Sequence, residues 1–136
     1  MHQLEMETFR SAMLPRLDSE ERPWGRWSVL DEGEGYKVKM IEVAPGHRLS
    51  LQYHHYRSEY WVVVQGKARI VIGNQHQELG PMQAVMIPER TIHRIENPYA
   101  EIVRVLEVQQ GSRLEEDDIV RLEDDYHRAR FDARAD

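Results

Sequence analysis

From Trp24 onward the chain alternates between short apolar runs and turn formers. Runs rich in Val, Ile, Tyr and Trp recur, each closed by Gly, Pro, Asn or Asp. That is the pattern of half-buried strands joined by tight connections. Nine strands are predicted, at residues 27–30, 36–43, 49–54, 60–65, 67–72, 75–79, 84–87, 91–95 and 101–108. Gly73-Asn74 separates two of them, and glycine at the first loop position selects a two-residue type II′ hairpin. Gly46, Gly66 and Gly80 read as corners where a closed sheet bends. The spacing predicts an all-β fold, an antiparallel β-barrel or jelly roll. Ahead of it, Leu4, Met6, Phe9, Met13 and Leu14 follow roughly helical spacing until Pro15, which predicts a short N-terminal helix docked on the barrel or on a partner subunit. The expected organisation is a helical segment and charged link over 1–21, the barrel domain over 22–128 and a charged tail over 129–136.

Alternation also assigns faces. Arg48, Ser50, Gln52 and His54 leave one side of their run, and Leu49, Leu51 and Tyr53 the other. Glu59, Trp61 and Val63 share a face, as do Thr91, His93 and Ile95. Turned inward, these residues line a pocket that carries one amide, one carboxylate and two imidazoles: Gln52, His54, Glu59 and His93. The four converge only if their strands close on each other. The donor set fits Zn²⁺ foremost, with Mn²⁺, Fe²⁺, Co²⁺ or Ni²⁺ also compatible. A neutral Gln ligand leaves the site more positive than a second carboxylate, which favours electrophilic chemistry. The metal-free alternative is a hydrogen-bonded polar patch. His2, His47, His55, His76 and His127 read as solvated, and Trp24, Trp27 and Trp61 as core or rim packing.

Composition narrows the classes. At 136 residues the chain is one domain. Only 40% of residues are apolar and the mean hydropathy is -0.69, so the core is modest and a homodimer that buries more surface is expected. A net charge of -6 argues against nucleic acid as partner, yet a local Arg/Lys cluster can still take a small anion. With no cysteine there is no disulfide, thiol nucleophile or zinc–thiolate site. No apolar run is long enough to span a bilayer and no signal pattern opens the chain, so no membrane partner and a cytoplasmic location are expected. Glu115-Glu116-Asp117-Asp118 reads as a solvated acidic face.

Specific segments carry a resemblance. Gly46, His54, Glu59 and Gly66 fall on the first cupin motif; Gly80, Pro88, His93 and Asn97 echo the second. Gln52 stands where many cupins place their first histidine, and Arg90 where the second motif usually has glycine. The spacing from Gly80 to Pro88 is longer than the general pattern. More specific are Arg22-Pro23-Trp24-Gly25, Gly35-Tyr36-Lys37-Val38-Lys39, Pro45-Gly46-His47-Arg48-Leu49-Ser50-Leu51-Gln52, His54-His55-Tyr56-Arg57-Ser58-Glu59-Tyr60-Trp61, His93-Arg94-Ile95-Glu96-Asn97-Pro98, Glu107-Val108-Gln109 and Glu116-Asp117-Asp118-Ile119-Val120-Arg121. Over roughly residues 22–128 the chain resembles the type II phosphomannose isomerase domain of the cupin superfamily, often the C-terminal part of bifunctional mannose-1-phosphate guanylyltransferases. Tyr56 and Tyr60 stand where that family usually has histidine.

The resemblance implies a metal-dependent aldose–ketose isomerase that interconverts mannose 6-phosphate and fructose 6-phosphate through an enediol. Arg48, alternating inward, is the expected phosphate clamp. Lys39 and Arg121, from the matching segments, are further substrate-binding candidates. Glu107 is the expected proton carrier, if partial burial raises its pKa. No Gly-rich nucleotide loop precedes the barrel, so guanylyl transfer is expected to be absent. Two other readings stay open: a non-haem iron oxygenase, since two histidines and a carboxylate can form a facial triad, and a sugar-binding cupin without turnover.

Overall fold

The computed structural model describes residues 18–126; the predicted helix at 4–14 and the charged tail lie outside the described residues. Eleven strands run in the order β1 (Ser19–Arg22), β2 (Gly25–Gly33), β3 (Tyr36–Val43), β4 (Leu51–Tyr53), β5 (Arg57–Gln65), β6 (Ala68–Ile72), β7 (Gln75–Leu79), β8 (Ala84–Ile87), β9 (His93–Glu96), β10 (Val103–Gly111) and β11 (Val120–Glu123). They form a six-stranded sheet, β1-β2-β3-β10-β5-β8, and a five-stranded sheet, β11-β4-β9-β6-β7. Among the described residues every strand pairing is antiparallel. Among the described residues no helix is long and apolar enough to cross a membrane.

Period-two burial explains how the sheets meet. In β5, Glu59, Trp61 and Val63 are buried while Tyr60 is exposed. In β10, Val103, Val105, Glu107 and Gln109 are buried in sequence. Ile41, Val63 and Val105 of the larger sheet meet Ile70 and Ile95 of the smaller one in a single core. Val63, Val103 and Val105 are 0% exposed, each contributing about 1.5–3 kcal/mol relative to exposure. Along β10 the inward line turns from valine to Glu107 and Gln109, so the same alternation that builds the core delivers polar groups to its far end.

Two strands escaped the hydrophobic pattern. β1 covers part of the predicted charged link, and its residues pair Ser19 to Arg22 against Ser28 to Gly25. β11 lies in a strongly charged stretch and is held by pairing with β4. β1 is held by ladder hydrogen bonds without a buried apolar side chain, and β11 buries only Val120. The Gly73 hairpin has φ +60° at its first loop position, as the type II′ reading requires. Gly66 has φ +82°, and a Cβ there would lie 2.5 Å from the Ile102 carbonyl oxygen, so that corner demands glycine. Gly80 does not. In its turn the left-handed conformation falls on Met82, with φ +69°. Arg90, which replaces the usual motif glycine, keeps a left-handed φ of +59°, and its N–H donates to the His54 carbonyl at 2.8 Å.

Candidate metal centre

Register brings the site together in two facing rows. On the larger sheet Lys39 pairs with Glu107, Glu107 with Trp61, and Gln109 with Glu59. On the smaller sheet Arg121 pairs with Gln52, and Gln52 with His93. His54 follows β4 directly. Gln52, His54, Glu59, His93, Glu107, Lys39 and Arg121 all line one cavity between the sheets.

His54, Glu59 and His93 each present a ligand atom, and these atoms lie within 4.8 Å of one another. The Glu59 carboxylate is 3.3 Å from His54 Nε2 and 3.6 Å from His93 Nε2. Bonds of about 2.0–2.2 Å at tetrahedral angles separate donor atoms by about 3.4 Å. Both imidazoles are oriented from behind. His54 Nδ1 is 2.6 Å from the Asp118 carbonyl oxygen, and His93 Nδ1 is 2.8 Å from the Thr91 carbonyl oxygen. A carbonyl only accepts, so each Nδ1 carries the proton and each Nε2 keeps its lone pair for the cavity. Gln52 lines the same cavity, and its Nε2 donates to the carbonyl oxygen and hydroxyl of Ser50 at 3.2 and 3.1 Å, so its amide oxygen is not used in those bonds.

Burial first, then the facing Arg57 and His93, drives the His54 pKa down to about 3. The ring is therefore neutral, the form that ligates metal. A base whose folded pKa is depressed costs stability as the pH falls through its unfolded value, here the ordinary 6.5. The metal-free protein should accordingly lose stability relative to a His54→Gln variant as the pH falls from about 6.5 toward about 3, read as a pH-dependent difference in urea midpoint. A difference independent of pH contradicts this assignment.

Sequence reasoning missed Arg57. It is 7% exposed, and its Nε donates to Glu59 Oε2 at 2.9 Å while Nη2 lies 3.2 Å from His54 Nε2. Extending the Glu59-Trp61-Val63 alternation back by two would have placed it on the inner face. The donor set fits a divalent cation, with one condition. The guanidinium must turn away from Glu59 and His54, because it engages the same lone pairs.

Glu107 is also buried, at 5% exposed. The Trp61 indole N–H is shared between Glu59 Oε1 and Glu107 Oε2, 3.1 Å from each. Gln109 Nε2 donates to Glu107 Oε1 at 2.6 Å. Burial and then the neighbouring Glu59 charge push the Glu107 carboxyl up, against Lys39 and Arg57. Trp61 is therefore more than packing: it ties the two carboxyls together.

Other expected residues sit elsewhere. Arg48 does not face the cavity. It is a half-exposed member of an ion-pair cluster, with Nε 2.8 Å from Asp125, Nη1 3.3 Å from Glu96 and Nη2 3.3 Å from Glu123. Around it the chain makes only an isolated bridge between Arg48 and Glu96, so strand alternation does not reach back to this position. Arg48→Ala should cost about 1 kcal/mol of stability, read from the melting transition, and leave sugar-phosphate affinity unchanged; weakened affinity with an unaltered melt contradicts this. The acidic run is not simply solvated. The Asp118 carboxylate accepts from the His55 and Tyr56 backbone N–H groups at 2.9 and 3.0 Å, and Glu116 accepts from Lys39 at 2.6 Å. Tyr56 and Tyr60 are 40% and 42% exposed, on the outside of the site. Asn97 is a structural clip, donating to the Val43 and Glu101 carbonyls at 2.9 and 2.8 Å.

Two closed antiparallel sheets with this cavity between them define a cupin. Solved structures of the same fold include an oxalate decarboxylase from Bacillus subtilis, with TM-score 0.69 at 18% identity over 77% of this chain and 30% of that one. They also include a cupin-superfamily sugar phosphate isomerase from Silicibacter pomeroyi, with TM-score 0.54 at 22% identity over 62% of this chain and 59% of that one. The family described as mannose-6-phosphate isomerase C-terminal matches residues 16–124, and the chain belongs to it. Curated relatives include the mannose-1-phosphate guanylyltransferase ManC of Salmonella typhimurium, 49% identical over 79% of this chain and 22% of the relative. The alginate biosynthesis protein AlgA of Pseudomonas aeruginosa is 47% identical over 79% of this chain and 22% of the relative. The chain thus spans about a fifth of the length of these relatives.

Proposed function

We propose that this domain is a metal-dependent isomerase that interconverts mannose 6-phosphate and fructose 6-phosphate. The observation that carries the reading is the convergence of two carbonyl-oriented imidazoles and the Glu59 carboxylate beside the buried Glu107 carboxyl. Family membership and the sugar phosphate isomerase among the fold neighbours support it.

Gln52, His54, Glu59 and His93 would hold a divalent cation, Zn²⁺ foremost by donor type, with Mn²⁺, Fe²⁺, Co²⁺ or Ni²⁺ also accommodated. When bound, the cation supplies Lewis acidity toward the adjacent carbonyl and hydroxyl oxygens of the open-chain sugar. Glu107 takes the proton from C2 and returns it to C1 through the enediol, while O1 gains a proton and the C2 hydroxyl gives one up, so the step is proton-neutral. The raised pKa of Glu107 suits a group that must both accept and release a proton. Trp61 and Gln109 fix the carboxylate in place by donating to it. Lys39, Arg57 and Arg121 line the same cavity and give it a cationic wall for the phosphate. Guanylyl transfer, which the name of the Salmonella relative records, is not assigned to the described residues.

One observation favours a second reading, sugar binding without turnover: Arg57 engages the ligand atoms of both Glu59 and His54. The test is a coupled assay of the metal-loaded protein with mannose 6-phosphate. Formation of fructose 6-phosphate supports the isomerase. Saturable sugar-phosphate binding with no product supports the binder, and substrate-dependent O₂ uptake would point instead to an oxygenase.

A further inference from the structure

Lys39 is a buried cation with an unusual neighbour. Its side chain is 4% exposed, and its ammonium lies 4.0 Å over the Trp27 ring. Its carboxylate partner, 2.6 Å away, is Glu116, whose own side chain is 40% exposed. Lys37 approaches the same carboxylate oxygen at 3.5 Å. Glu116 belongs to the loop between β10 and β11, and it lines the cavity together with Lys39 and Arg57. Arg57 brings an unmet demand: its Nη1 is buried with no hydrogen-bond partner.

We infer that Glu116 is an internal stand-in for the substrate's anionic group, occupying the phosphate seat until a phosphate monoester displaces it. This rests on the isomerase reading for the identity of the sugar, though the exchange itself concerns only the anion. The asymmetry of burial sets its direction. Lys39 is fixed by burial and by the Trp27 face, so it cannot follow a departing partner. Glu116 stands on a solvent-facing loop and can swing out through its own rotamers. A buried ammonium left alone is costly, so Glu116 leaves only when another anion arrives. A phosphate dianion brings more charge and three acceptor oxygens, enough to meet Lys39 and the open Arg57 Nη1 together. Burial pushes the Glu116 carboxyl up, but Lys39, then Arg57 and Lys37, outweigh it and hold the carboxyl below the usual range. The stand-in is therefore charged at neutral pH. A neutral sugar offers no anion for the exchange, so the device selects phosphorylated over free sugars.

The test is calorimetric titration of the metal-free protein with inorganic phosphate, comparing wild type with Glu116→Gln and Glu116→Ala. Removing the competing carboxylate should tighten phosphate binding about tenfold in both variants, and Lys39→Met should abolish the response in the Glu116→Gln background. Equal phosphate affinity in wild type and both variants overturns the proposal, as does tightening that survives Lys39→Met. The two levels separate cleanly. Tighter phosphate binding without any isomerisation keeps the exchange and removes the isomerase. Isomerisation with phosphate affinity and KM indifferent to Glu116 removes the exchange alone.

Discussion

His93→Ala is expected to lose bound metal and isomerisation together, with turnover falling by more than about a hundredfold. His93 presents an Nε2 lone pair, its ring being held by the Thr91 carbonyl. His54→Ala should behave the same way, since the Asp118 carbonyl holds that ring equally. The His93 ring also packs against Trp61, with centroids 5.3 Å apart, so the variant must be checked for a native tryptophan spectrum and a cooperative melt. A folded His93→Ala protein that retains stoichiometric metal and full activity removes the proposed centre.

Glu107→Gln would separate the proposed proton carrier from the proposed metal ligands. Gln preserves the shape, and its oxygen can still accept from Trp61, so metal binding and sugar-phosphate binding should persist. Turnover should fall by about 10²–10⁴-fold, the usual worth of a positioned base. The pH dependence has a defined sign. Burial, with Glu59 beside it, raises the Glu107 pKa, so the carboxyl stays protonated and inactive as a base to a higher pH than an ordinary glutamate. Activity should rise with pH through a midpoint above the ordinary carboxylate value, and that limb should vanish in Glu107→Gln. The same shift affects folding: a raised acid favours the fold at low pH, and that contribution fades as the pH climbs from the unfolded value through the folded one. Undiminished turnover in Glu107→Gln would reassign the base.

What was legible in the sequence follows from continuity of strands. Glu59, Trp61 and Val63 sit in the unbroken β5, so period two placed them correctly. Gln52 and His93 face each other as a direct β4–β9 pair, and their inward placement followed from local alternation too. Arg48 shows the limit. Alternation from Gln52 does not extend back across residues 48–50, where no strand runs, and the Arg48 side chain instead meets acids at 96, 123 and 125. Arg57 is not legible in the same way because the apolar run begins at residue 60, whereas the strand itself begins at Arg57. Glu116 and Asp118 were hidden for a different reason. Nothing within an acidic tetrad distinguishes a solvated carboxylate from one that meets a buried lysine 77 positions away. Long-range pairing of charges is a property of the closed fold, and the one-dimensional pattern does not carry it.

The most direct measurement of the central claim is formation of fructose 6-phosphate from mannose 6-phosphate as the chelator-stripped protein is titrated with a divalent cation. The account predicts no product from the stripped protein, then a rate that climbs with added cation and levels off at one equivalent per chain. No product at saturating cation, or a rate that chelation leaves unchanged, would contradict it.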